Sequence, residues 1–134
     1  MPEVLDARLL LVEDNEDVAQ AAAQLLESLG ARVFRVASAQ AAIDFIAAHS
    51  PSVDFVLSDI ELAGGMDGIA LASVLLEGPH CLPIVLMTGY AQRLDEAVRQ
   101  KLEVLPKPVS AGMLVRALRR TLPASAPGQP QSFA

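Results

Sequence analysis

Short apolar runs alternate with longer segments whose apolar residues recur at helical spacing, from one end of the chain almost to the other. Arg8 to Val12 is a strand-sized run ending in the acidic pair Glu13-Asp14. Val18, Ala22, Leu25, Leu26 and Leu29 then follow a helical period, closed by Gly30 just past the helix end. Val33 to Val36 predicts a second strand, and Ser38 is a suitable N-cap for a helix burying Ala42, Ile43 and Ile46 and broken at Ser50-Pro51. Phe55 to Ser58 predicts a third strand that delivers Asp59 at its end. A loop rich in glycine, Leu62 to Gly68, leads into a helix over about Ile69 to Leu76. Pro83 to Met87 is a fourth, wholly apolar strand ending in Thr88-Gly89. A polar, weakly amphipathic helix is expected within Ala91 to Lys101. Glu103 to Leu105 predicts a brief fifth strand before Pro106-Lys107-Pro108. The last helix, about Ala111 to Leu122, should bury Leu114, Val115, Leu118 and Leu122.

Five strand–helix alternations with apolar strands predict an α/β fold, a doubly wound parallel sheet covered on both faces. In such sheets the functional crevice lies at the carboxyl ends of the strands. With 134 residues the chain has the length of one domain, expected over 1–122. The Pro/Ser/Gly/Gln-rich remainder, 123–134, is expected to be a disordered tail with no effector domain in it.

Composition narrows the classes. Hydrophobic residues make up 52%, but the longest apolar runs fall far short of the roughly 20 residues that span a membrane. No basic-then-apolar leader opens the chain, and the single cysteine, Cys81, cannot form an internal disulfide; a cytoplasmic location is expected. The net charge of −6 argues against nucleic acid as a partner, because phosphate neutralisation needs a basic surface. Arg116, Arg119 and Arg120 alternate with apolar residues and read as the solvated face of the last helix.

The residues at the predicted strand ends are Glu13-Asp14, Asp59, Thr88 and, after the fifth strand, Lys107. Each alone is an ordinary turn or cap residue. Together they put three carboxylates, a hydroxyl and an ammonium on one edge of one sheet. Crowded carboxylates raise one another's pKa, and a hard divalent cation such as Mg²⁺ relieves that repulsion. Asp59 then has the chemistry of a carboxylate nucleophile toward phosphorus, giving an acyl phosphate. Lys107 can pair with phosphoryl oxygens and Thr88 can donate to them.

At these positions the sequence resembles the response-regulator receiver family, over roughly Arg8 to Leu122. The resemblance rests on Leu-Leu-Val-Glu-Asp-Asn, Ser-Asp-Ile at 58–60, Gly-Met-Asp-Gly at 65–68, Met-Thr-Gly-Tyr-Ala at 87–91 and Leu-Pro-Lys-Pro at 105–108. The loop at 64–68 and the run 88–91 look most like receivers attached to hybrid sensor histidine kinases. The resemblance implies a flavodoxin-like fold of strand order 2-1-3-4-5, and phosphorylation of Asp59 by a histidine kinase or phosphotransfer protein. It also implies Mg²⁺, with Mn²⁺ as an alternative, bound by Asp14, Asp59 and the backbone carbonyl of Glu61, and by Glu13 through a water. A homodimer through the faces of the fourth and fifth helices is a further partner to consider.

Ala63 stands where the family often has proline, and the loop to Gly68 is a residue longer than usual, so altered local geometry with intact chemistry is expected. The short span from Thr88 to Lys107 predicts a reduced or irregular fourth helix. Val104 occupies a position where many receivers carry Tyr or Phe, so signalling by an aromatic rotamer is not expected, and loop and helix movement must carry it. Glu61 and Tyr90 sit where the family tunes the lifetime of the phosphoryl group. His49 and His80 read as loop residues, Cys81 as a packed or half-exposed thiol, and Met113 as core or interface. The competing functions are a Mg²⁺-dependent aspartyl-phosphate phosphatase, with Glu61 at the acid/base position, and an interaction module with an inactive site. The expected protein is a switch that accepts one phosphoryl group and releases it again, not a turnover enzyme.

Overall fold

The computed structural model describes residues 7–49, 52–78 and 82–121. Strands and helices alternate: β1 (Arg8–Val12), α1 (Glu16–Ser28), β2 (Arg32–Val36), α2 (Ala39–His49), β3 (Phe55–Asp59), α3 (Gly68–Glu77), β4 (Ile84–Thr88), α4 (Ala91–Arg99), β5 (Glu103–Pro106) and α5 (Ala111–Thr121). The strands pair in parallel as one sheet of order β2-β1-β3-β4-β5, as expected of the flavodoxin-like arrangement.

Residues alternate across the sheet with the period of two that a strand imposes. Leu9, Leu11, Phe55, Leu57, Val85 and Met87 face α1 and α5, where Leu26, Leu114 and Leu118 complete one core. Leu10, Val12, Val56 and Leu86 face the other way, against Ala42 and Ile46 of α2, Leu71 and Leu75 of α3, and Ala97 of α4. β3 and β4 are buried along their whole length, in keeping with the apolar runs 55–57 and 84–87 that precede their polar ends. Edge strand β2 is more open, and Phe34 on it is covered partly by Phe45 of α2, ring centroids 5.4 Å apart.

Local chemistry sets the helix ends. The Asn15 side chain accepts from Val18 N–H at 3.0 Å, and Ser38 Oγ accepts from Ala41 N–H at 3.1 Å. Gly30, with φ of 101°, takes the left-handed position after α1, so that Ala31 N–H reaches back to Leu26 O at 3.1 Å. Asp67 caps α3 by accepting from Ala70 N–H at 2.9 Å.

Three expectations need correcting. Val18, in the first turn of α1, is 44% exposed rather than part of the buried face. His49 is not in a loop: it is the last residue of α2, its ring 4.6 Å from that of Phe45. Helix α4 is short, nine residues, but regular and strongly one-sided rather than weakly amphipathic. Its polar residues hid that pattern, since only Ala97 is buried. Met113 is half-buried against the α1/α5 core, and Arg116, Arg119 and Arg120 are exposed as expected. The expectations for Ser50-Pro51, His80, Cys81, Leu122 and the tail from 123 lie outside the described residues.

Candidate functional site

The register of the sheet lines up the ends of four strands. Asp59 is the last residue of β3 and stands opposite Met87; Thr88 is the last of β4 and stands opposite Pro106, so Lys107 follows directly beside it. Lys107 N–H donates to Thr88 O at 2.9 Å, fixing that neighbour relation. Glu13 continues β1, its N–H donating to Val36 O, while Arg35 of β2 donates to the Glu13 carbonyl at 3.1 and 2.8 Å through Nε and Nη2. Among the described residues the buried polar side chains are Glu13, Ser58, Asp59 and Thr88. All four lie at the carboxyl edge of the sheet.

Asp59 and Lys107 meet: Nζ is 2.8 Å from Asp59 Oδ1. The contact is a close ion pair, and among the described residues Lys107 is the one polar group that meets this buried oxygen, while Glu13 Oε1 is buried without a hydrogen-bond donor. Thr88 Oγ1 donates to Glu61 Oε2 at 2.7 Å and accepts from Tyr90 N–H at 3.1 Å. Asp14 is exposed and its Oδ2 accepts from Ala63 N–H at 2.9 Å, which ties the end of β1 to the β3–α3 loop. Glu13 Oε2 accepts from Asn15 N–H at 3.2 Å. Tyr90 is 61% exposed, and its backbone rather than its ring engages Thr88. Val104 is half-buried on β5 among the residues packed beside α4.

The extended loop keeps its turn through two adjacent glycines in the left-handed region, Gly64 at φ 94° and Gly65 at φ 83°. Gly68 has a different role. A Cβ there would lie 2.4 Å from the Asp59 carbonyl oxygen and 2.8 Å from Ile60 Cα, so the start of α3 can pass behind Asp59 only as glycine.

Burial pushes the Asp59 carboxyl above its ordinary value; pairing with Lys107 opposes this, while Glu61 and Asp14 add to it. Glu13 is pushed up in the same way, by burial first, then by Asp59 and Asp14 against the opposing Asn15 N–H and Lys107. Burial would lower Lys107, but Asp59, Glu13 and Glu61 together hold it above the usual lysine value.

The arrangement is looser than the sequence argument pictures. Among the described residues no three Asp, Glu, His or Cys side chains are grouped closely enough to hold a metal on their own. Each carboxylate has a separate neighbour: Lys107 for Asp59, Ala63 N–H for Asp14, Asn15 N–H for Glu13, Thr88 for Glu61. Even so, Glu13 Oε1, buried without a donor, and the buried Asp59 carboxylate, met by Lys107 on one oxygen, offer hard oxygen atoms of the kind that Mg²⁺ and its bound waters satisfy. The residues fit the ion.

The family model of the response regulator receiver domain matches residues 9–119. The chain belongs to that family. The receiver is 33% identical over 115 residues to the C4-dicarboxylate transport transcriptional regulatory protein DctD of Rhizobium meliloti (strain 1021), covering 84% of this chain and 24% of DctD. It is 32% identical over 125 residues to the sensor protein TorS of Escherichia coli (strain K12), covering 86% of this chain and 13% of TorS. It therefore spans a quarter or less of these relatives, one named a transcriptional regulator and the other a sensor. Among solved structures it resembles the signal receiver domain of an HD domain-containing protein from Pseudomonas fluorescens Pf-5, with a TM-score of 0.72 and 28% identity, covering 86% of this chain and 93% of that one. Among the described residues no helix is long and apolar enough to cross a membrane.

Two features of this receiver were not found by sequence reasoning. The first is the direct Thr88–Glu61 hydrogen bond, between a residue expected to tune phosphoryl lifetime and one expected to donate to the phosphoryl group. The second is Arg93 on α4, which forms an ion pair with Asp67 at the cap of α3 and stands 3.1 Å from Glu96 Oε1 through Nε. An arginine one turn beyond the strand-end threonine was the available signal.

Proposed function

We propose that this receiver accepts a phosphoryl group on Asp59 from the phosphohistidine of a histidine kinase or phosphotransfer protein, and signals by the resulting change at its β4–α4 edge. An Asp59 carboxylate oxygen bonds to phosphorus as the P–N bond breaks, and the imidazole nitrogen leaves with the bonding pair and takes up a proton. The single observation that carries the reading is the buried Asp59 carboxylate, 5% exposed and 2.8 Å from Lys107 Nζ, at the carboxyl end of the central strand. Lys107 stabilises the added phosphoryl charge, being a compact cation already in place. Thr88 turns its hydroxyl from Glu61 to the new oxygens.

Mg²⁺ would be held by Asp14, Asp59 and the Glu61 backbone carbonyl, with Glu13 reaching it through water, and when bound it neutralises charge on the transferring group. Mn²⁺ has the same ligand preferences and can replace it. Glu61 and Tyr90, at the mouth of the site, set how long the phosphoryl group lasts. The folded unit would be residues 1–122, in the cytoplasm, and a second copy could join through α4 and α5. Those helices carry Val98, 58% exposed, and the exposed Arg116, Arg119 and Arg120, the last paired with Glu103.

Incubation with Mg²⁺ and acetyl phosphate should add the mass of one phosphoryl group at Asp59, and Asp59→Asn should abolish it. Repeated turnover of phosphate esters would instead make the protein a phosphatase, and no modification under any donor would make it an inactive module.

A further inference from the structure

The Thr88 hydroxyl has one proton, and Glu61 holds it. If Thr88 is to donate to a phosphoryl group on Asp59, that bond must break, and the Glu61 carboxylate must find another partner or return to water. Among the described residues two cations feel the Glu61 charge, Lys107 and Arg93, and Lys107 is already engaged by Asp59 at 2.8 Å, which leaves Arg93. It lies in the first turn of α4, whose Leu94 N–H donates to Tyr90 O at 3.0 Å, while Tyr90 N–H donates to Thr88 Oγ1. Arg93 already reaches across from α4 to Asp67, and Asp67 is six residues after Glu61 in the same loop. The Arg93 side chain is 30% exposed, so the exchange takes place at the mouth of the site rather than in bulk water. Glu61 already acts on Arg93: its charge is one of those that raise the guanidinium, after Asp67 and Glu96.

We propose that Arg93 is a positioning residue of the phosphoryl site, receiving the Glu61 carboxylate when Thr88 releases it, so that the exchange of partners moves α4. The inference rests on the phosphoryl-accepting reading above. It supplies what Val104 lacks, since a valine at that position has no ring to rotate inward. It also fits the weak seating of α4, which buries Ala97 alone among its residues and so moves at little cost. In the resting state Thr88 and Arg93 hold the two ends of one loop, through Glu61 and Asp67. In the phosphorylated state Arg93 holds both carboxylates.

The test uses the full chain with Mg²⁺ and beryllofluoride. Fluorine spectra report the adduct at Asp59, and amide spectra report α4 separately. In the unaltered chain, adduct formation should shift the amides of 91–99. Arg93→Ala should form the adduct yet lose the α4 response, the switched population falling about two- to fivefold, the scale of a partly exposed ion pair. Arg93→Lys should recover part of it, which a merely structural role would not require. Adduct formation with an undiminished α4 response in Arg93→Ala would overturn the inference. Absence of any adduct in the unaltered chain would instead overturn the phosphoryl-accepting reading.

Discussion

The Thr88 hydroxyl, 1% exposed at the end of β4, donates to the Glu61 carboxylate 2.7 Å away across the mouth of the site. A buried donor left without an acceptor costs more than the bond itself contributes. Glu61→Ala should therefore destabilise the unphosphorylated chain by about 1 kcal/mol, whereas Glu61→Gln, which keeps an accepting oxygen, should change stability little. Urea unfolding of Glu61→Ala, Thr88→Val and the double variant gives the coupling directly. A coupling near zero would show that the bond does not contribute in solution.

Gly68 packs behind the Asp59 carbonyl with no room for a methyl group. Gly68→Ala must push either α3 or the end of β3 aside, at a cost of about 1–3 kcal/mol. Because the displaced atoms are backbone of Asp59 and Ile60, acceptance of phosphoryl from acetyl phosphate should fall along with the melting temperature. A stable variant with normal modification at Asp59 would refute this. Gly64→Ala is the contrast: open space surrounds it, and its φ of 94° makes the penalty one of backbone strain alone.

Much of this was legible in the sequence, for identifiable reasons. The alternation of strands and helices along the chain, the strand-end positions of Glu13, Asp59, Thr88 and Lys107, and the Ser38 and Gly30 helix ends follow from short-range rules about periodicity and caps, and the structure places them as expected, whereas the spatial order of the strands was implied by the family resemblance. What escaped were contacts set by the third dimension. Asp67 reads as an N-cap from its own neighbours, and Arg93 as one charge on a polar helix; that they meet depends on how α3 and α4 sit at adjacent strand ends. Arg35, in a strand otherwise apolar apart from Arg32, secures the carbonyl of Glu13 from the neighbouring strand, a contact that no strand pattern reveals. The partial separation of the carboxylates also could not be read, because it depends on backbone N–H groups of Asn15 and Ala63 that no side-chain pattern reveals.

Asp67 does two jobs that two substitutions separate. It caps α3 through Ala70 N–H and pairs with Arg93, and although burial works the other way, these contacts hold its carboxyl below the usual aspartate value. Its contribution is present at neutral pH and is lost as pH falls through that lowered value, beneath about 4. Asp67→Asn keeps the cap and loses the ion pair, for about 0.2–1 kcal/mol. Asp67→Ala loses both and should cost about 1 kcal/mol more. Equal losses in thermal unfolding would mean that the cap contributes nothing beyond the pair.

Asp59 carries the opposite sign. Burial raises its folded value above that of the unfolded chain despite Lys107, so between about pH 4 and the raised value the folded state binds more protons than the unfolded state. Stability from this group consequently falls as pH rises through that window, which is the cost of keeping a reactive anion buried. Asp59→Asn removes the titration. Compared in chelator at a series of pH values, the variant should gain on the unaltered chain as pH climbs from about 4 toward neutrality. A stability difference flat across the series would show that Lys107 offsets burial completely, and Lys107→Met, which removes that partner, should then restore the slope.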